Sequence, residues 1–202
     1  MTASVAILIS GKGTNMKALL DRKESGDLSC EIPFIASDTS KAEGLLLAQA
    51  MGIKTEILPY KEKGKEEAER VLDEMCRSHH VQWIVLAGFM RILSPWFVNR
   101  WEGKILNIHP ALLPSFPGNR AILDAWEYGV KVTGITIHLV DRGMDSGIIL
   151  AQKAIVIKEE DTLDSLTTKI HETEHDLYWK TLKKAIEGQY SFDGRRAIND
   201  SY

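Results

Sequence analysis

The sequence predicts a Rossmann-like α/β fold, a mostly parallel sheet with antiparallel late strands and helices on both faces. Three observations carry that expectation. Apolar, β-branched runs alternate with helical patterns over most of the chain, the signature of βαβ units. The runs are almost continuously apolar, as strands covered on both faces are. At 202 residues the chain is long enough for one α/β domain with a well-buried core and short for two.

Taken in order, Val5–Ile9 is the first buried strand, Ile32–Ala36 the second, Thr55–Leu58 a weaker third, Ile84–Ala87 the fourth and Ile105–His109 the fifth. Helical patterns fill Thr14–Leu20, Lys41–Met51 and Lys65–Ser78, and Gly52 stops the second of these. Pro114 and Pro117-Gly118 then mark a loop, followed by a helix over Leu123–Tyr128. Thr133–Val140 reads as a strand with Ile135, Ile137 and Leu139 inward and its polar residues outward; Ile148–Ile157 pairs with it antiparallel. Leu163, Leu166, Ile170, Leu177 and Ile186 form the apolar stripe of a long helix capped by Asp161 or Thr162. A domain over 1–188 is expected, with 189–202 either a hairpin turning at Asp193-Gly194 or a polar tail.

Composition excludes several classes. With 44% hydrophobic and 26% charged residues and a net charge of −3, the chain has no basic field for nucleic acid or anionic membrane. No stretch approaches the roughly 20 apolar residues of a membrane helix, and no signal peptide opens the chain. Cys30 and Cys76 lack metal or redox spacing and fit a reducing compartment, so a cytoplasmic protein is expected.

Three segments carry chemistry. Ser10-Gly11-Lys12-Gly13-Thr14-Asn15 follows the first strand and opens a helix, where unpaired N–H groups suit an anion. It lacks the Gly-Lys-Ser/Thr of a P-loop, and Met16 stands where a dinucleotide fingerprint has its third glycine. Asp38, ending the second strand, keeps a ribose-binding acid in play; the plain alternative is a turn without ligand. Leu86–Leu93 and Leu106-Asn107-Ile108-His109-Pro110 both lie at strand carboxyl ends, where open α/β sheets bind ligands. Asn107 and His109 share a face, an amide beside an imidazole suited to oxyanion stabilisation and proton transfer. The alternative is a strand-end histidine satisfied by a carbonyl. Asp141–Gly147 fails as a calcium loop, since Ser146 replaces the sixth-position glycine and Gln152 the twelfth-position glutamate. Its Asp145 is a turned carboxylate able to orient His109 and stabilise the imidazolium, or an ordinary turn residue. His79, His80 and the Lys61–Arg70 charge run read as solvated helix surface. His171 and His175 have metal-like spacing without a third ligand.

In this order and spacing, Ser10–Asn15, Leu86–Pro95, Leu106–Pro114 and Asp141–Gly147 closely resemble the phosphoribosylglycinamide formyltransferases, over about Ser4 to Gly188. Asn-x-His-Pro with the later aspartate loop marks folate formyltransferases generally; Ser-Gly-x-Gly-Thr-Asn points to the glycinamide ribonucleotide branch. The resemblance implies that Gly13, Thr14 and Asn15 bind the ribonucleotide phosphate and Glu174 contacts the ribonucleotide. Met90, Arg91, Ile92 and Leu93 would line the pterin pocket of 10-formyltetrahydrofolate. Asn107, His109 and Asp145 would be the catalytic trio, with no metal. Lys65 stands where some members place an arginine near the folate, and Asn119-Arg120 departs from the usual histidine-containing sequence. Implied partners are small molecules only, for a monomer or homodimer. A formyltetrahydrofolate hydrolase could use the same trio, but such relatives carry an N-terminal regulatory domain for which this chain has no room. A methionyl-tRNA formyltransferase would need an extra C-terminal region. A non-catalytic phosphate- or dinucleotide-binding module would leave the trio unexplained.

Overall fold

The structure, a computed structural model, describes residues 2–199. It divides after Leu106 into two compact units.

In the first unit, β1 (Ala3–Ile9) is flanked by β3 (Ile35–Ser37) and β5 (Trp83–Leu86), and β4 (Thr55–Ile57) lies outside β3; β2 (Cys30–Glu31) pairs with the start of β1. All of these pairs are parallel, with Ile7 opposite Ile35 and Val85, and Ile35 opposite Thr55. Val5 through Ile9 are all 0% exposed, and each of the larger side chains, Val5, Ile7, Leu8 and Ile9, contributes about 1.5–3 kcal/mol by leaving water. The chain steps outward from β1 through α1 (Thr14–Glu24) and α2 (Glu43–Ala50). It then returns past β1 through α3 (Tyr60–Ser78) and α4 (Pro95–Arg100). Right-handed crossovers in opposite directions put the two helix pairs on opposite faces. Accordingly α1 packs with α2, and α3 with α4.

Two features of this unit depart from the sequence reading. Helix α4 was not anticipated, although Ser94 caps it by accepting from Phe97 N–H and Pro95 occupies its first turn. The charge run on α3 is not wholly solvated. Glu69 is 0% exposed, and its carboxylate accepts from the N–H and hydroxyl of Ser94. Asp73 likewise accepts from Arg100 Nε and Trp101 Nε1, tying α3 to α4.

The second unit begins inside β6 (Ile105–His109), which runs beside β7 (Val132–Leu139); β7 pairs antiparallel with β8 (Ile149–Val156), as anticipated. The expected outward face of β7 is not outward. Thr136 and His138 are at most 2% exposed, because the strand is interior, and their polar atoms find partners within the protein. Thr136 Oγ1 donates to Ala111 O and accepts from Leu113 N–H and Gln152 Nε2. Helix α5 (Ala121–Tyr128) packs on α6 (Leu163–Ile186), which also contacts β7 and β8. Thr162 caps α6 in a reciprocal box with Ser165. The buried stripe runs Leu166, Ile170, Glu174, Tyr178, Leu182, a shift from the expected Leu177 and Ile186 that brings one carboxylate inside.

Residues 190–199 form a hairpin of β9 (Tyr190–Asp193) and β10 (Arg196–Asn199). Asp193 pairs with Arg196, so the turn is Gly194-Arg195 and not Asp193-Gly194. Gly194 has φ 56° and Arg195 is not in the positive region, the type II′ pattern with glycine first.

Candidate active site

The chemistry-bearing side chains of the second unit gather at the end of β6. Alternation along the strand sends Asn107 and His109 to one face, and His109 is 4% exposed. A third side chain, His138, comes from β7. A register shift follows Ile137, which pairs with Ala151 while His138 pairs with Ile149. The extra residue on β8 twists the strand locally, and such bulges re-aim side chains beside sites. His138 escaped the sequence reading because it sat among residues assigned outward. A histidine in the middle of a β-branched strand was the available signal.

Donor and acceptor rules fix the protons here. His138 Nδ1 lies 3.1 Å from its neighbour Leu139 O, so Nδ1 carries the hydrogen. Asn107 Nδ2 lies 3.2 Å from His138 Nε2; an amide NH2 only donates, so Nε2 accepts. His138 is therefore the neutral Nδ1–H tautomer. Burial pushes its pKa below 6.5, against the opposing pull of the Leu139 carbonyl and Asp145. Consistently, Asp145 Oδ1 stands back from His138 Nε2 at 3.7 Å, which is no ion pair with a neutral ring.

His109 differs. Its Nε2 donates to Phe116 O at 2.8 Å, and its Nδ1 faces Asp145 Oδ2 at 3.5 Å. Each ring nitrogen of His109 thus has an oxygen in front of it. Asp145 Oδ2 also accepts from Gly118 N–H at 2.8 Å. Asp145 and Phe116 both hold φ at 51°, a left-handed conformation that is uncommon for residues with a side chain, though Asp is enriched there, and that the surrounding structure must hold in place. The loop carrying Asp145 is braced from within, Asp141 Oδ1 accepting from Gly143 N–H and Ser146 Oγ. Glu174, on α6, is 3% exposed and accepts from His171 Nδ1 at 2.9 Å. His171 thus has a carboxylate partner, not a metal-ligand role with His175. Among the described residues no group of three or more His, Cys, Asp or Glu side chains is placed to hold a metal.

In the first unit, Gly13 ends the loop after β1 with φ 73° and caps α1 without a side-chain hydrogen bond. Its position requires glycine, since a Cβ would come within 2.9 Å of Gly44 Cα. Thr14 opens the helix exposed, and Asn15 is 9% exposed. This helix start has no capping side chain to compete with an anion for its N–H groups. The strand-end loop after β5 exposes Met90 and Ile92 at 69% and 64%, while Leu93 is buried. Met90 N–H donates to Ser10 Oγ. Arg91 Nε is committed to Asp38 at 2.6 Å, with its guanidinium over the Tyr60 ring. Asp38 is thereby an ion-pair partner and not a free ribose acid. Lys65 is exposed where α3 resumes after the break at Gly64, whose φ is 79°.

An imidazole flanked by a carboxylate and an amide oriented by a second histidine make an arrangement able to polarise a carbonyl and move a proton. The chain matches the formyl transferase family over residues 3–182 and belongs to it. It is 39% identical to phosphoribosylglycinamide formyltransferase of Bacillus subtilis, covering 90% of this chain and 93% of that one. It is 42% identical to trifunctional purine biosynthetic protein adenosine-3 of Gallus gallus over 185 residues, 91% of this chain but 18% of that protein's length. Among solved structures, glycinamide ribonucleotide transformylase 1 from Symbiobacterium toebii superposes with a TM-score of 0.93 at 35% identity, covering 98% of this chain and 94% of that one.

Proposed function

We propose that this chain transfers the formyl group of 10-formyltetrahydrofolate to the amine of glycinamide ribonucleotide, a step of purine biosynthesis, in the cytoplasm. The observation that carries the reading is the cluster at the end of β6, where Asn107 and His109 offer donors toward one face and His138 and Asp145 hold them. The names of the relatives covered over most of their length point to the acceptor, and the name of the longer Gallus gallus relative points to the pathway.

In the reaction the substrate amine attacks the formyl carbon and the carbonyl oxygen gathers negative charge. Asn107 has two amide hydrogens; one is bound to His138 Nε2, leaving the second for the oxyanion. His109 supplies the other donor through Nε2, exchanging the Phe116 carbonyl for the substrate oxygen. Each such donor is worth roughly 10²–10³ in rate. Asp145 keeps His109 charged while the oxyanion forms. Collapse breaks the bond from the formyl carbon to folate N10, and the proton lost by the amine is taken up by N10.

For binding, the uncapped start of α1 with Gly13, Thr14 and Asn15 suits the ribonucleotide phosphate, and Glu174 suits ribonucleotide donors. The exposed Met90 and Ile92 fit a flat ring, with backbone groups of Arg91 and Leu93 reading its edge and Lys65 near the donor's carboxylates. The test is a spectrophotometric folate assay with and without glycinamide ribonucleotide. Turnover is expected only with the acceptor; equal deformylation without it would make the protein a hydrolase.

A further inference from the structure

The hairpin β9–β10 lies beyond residue 182, where the match to the family ends. Its β10 strand packs on β8, the strand that leaves the Asp145 loop. At its turn, Arg195 donates through Nη2 to the carbonyl of Ser146 and, at 3.4 Å, to that of Gly147. These are the two peptide carbonyls that follow Asp145's own. The loop is held upstream by Asp141 and, at the carboxylate, by Gly118 N–H. Downstream, Gly147 lies against the Leu139 carbonyl so closely that an added Cβ would stand 1.6 Å from it. Asp145 keeps its left-handed backbone only while both sides of the loop stay fixed.

We propose that Arg195 is a positioning residue for Asp145. It clamps the exit of the 141–147 loop and thereby sets the distance between the carboxylate and His109. The proposal rests on the catalytic reading of Asp145 given above. The guanidinium suits the task because one planar, permanently charged group reaches two successive carbonyls, and the paired strands deliver it from a rigid turn. The C-terminal hairpin is then part of the working site and not an appendage.

The experiment compares Arg195→Ala, Arg195→Lys and the control Arg196→Ala in the full-length chain. Without substrates, NMR reads the Gly118 amide, which donates to Asp145, and the ring nitrogens of His109 and His138. Arg195→Ala is expected to shift or broaden these signals with little change in Tm, because Arg195 is exposed. With substrates, kcat should fall about tenfold, short of the roughly hundredfold that follows a full 1 Å misplacement. KM for both substrates should hold, and the acid limb of the kcat–pH profile should move. Arg195→Lys should recover part of the rate, and Arg196→Ala should behave as wild type. Unchanged resonances with unchanged kcat would overturn the proposal. So would a lowered Tm with wild-type kcat per folded molecule, which is a purely structural role. If the wild-type protein shows no formyl transfer while Arg195→Ala still perturbs the Gly118 and histidine signals, the functional reading fails and the positioning role stands.

Discussion

At the scale of single residues, the site is an arrangement of protons decided by neighbours. Asn107 orients on a histidine that burial keeps neutral, and His109 stands between two acceptors. Asp145 is the residue whose replacement separates catalysis from folding. Asn tolerates the left-handed backbone better than other side chains, so Asp145→Asn should fold with a near wild-type Tm. Its kcat should fall about a hundredfold or more, the scale of losing a positioned acid–base or oxyanion contributor. Kinetics across pH beside thermal unfolding checks this, and wild-type kcat in a folded variant would remove Asp145 from the mechanism. The clustering of Asn107, His109 and Asp145 was foreshadowed by strand alternation and a glycine-flanked acid, which are local signals, although their roles rest on the resemblance. His138 was not, since its orientation depends on which strands cover β7 and on the bulge opposite it, neither of which a single strand encodes.

At the scale of elements, strands and long helices followed from apolar runs and caps, while bounds and interior polar groups did not. Glu69 and Asp73 look solvated in a charge-rich helix, yet both are enclosed once α4 lies on α3. A short helix such as α4 is visible only through its Ser-Pro cap. The hairpin's dipeptide was seen but its register was off by one, because Asp-Gly and Gly-Arg both satisfy a two-residue turn and pairing of the strands decides. The junction of β1 and α1 makes its own prediction. Gly13→Ala meets both a positive φ and a 2.9 Å contact with the Gly44 backbone. It should cost about 1–3 kcal/mol of stability and weaken ribonucleotide binding more than folate binding. Denaturant titration together with calorimetry of each ligand reads both effects. Loss of folate affinity alone would reassign the loop.

At the scale of the whole molecule, the fold class was the most legible property, because nearly continuous apolar runs alternating with helical patterns imply a parallel sheet covered on both faces, whereas the order of the strands is set by tertiary packing. Among the described residues no helix is long and apolar enough to cross a membrane. Global stability carries the signature of the buried His138. Its folded pKa lies below 6.5, so the unfolded chain binds this proton first as pH falls. Its share of stability is full above about 6.5 and drains away as pH drops toward the folded value, by at most about 1.4 kcal/mol per pH unit. Denaturant midpoints at pH 7.5, 6.5 and 5.5 should therefore decline less steeply in His138→Gln than in wild type; identical slopes would contradict the burial argument. The Phe116 carbonyl on His109 Nε2 has a consequence of its own. On the proposed mechanism the acid is latched onto its own chain in this state, so a donor arriving alone would meet an idle proton. Only an oxygen that outcompetes a peptide carbonyl unlatches it, and the activated formyl unit is spared from being spilled to solvent before the amine has come.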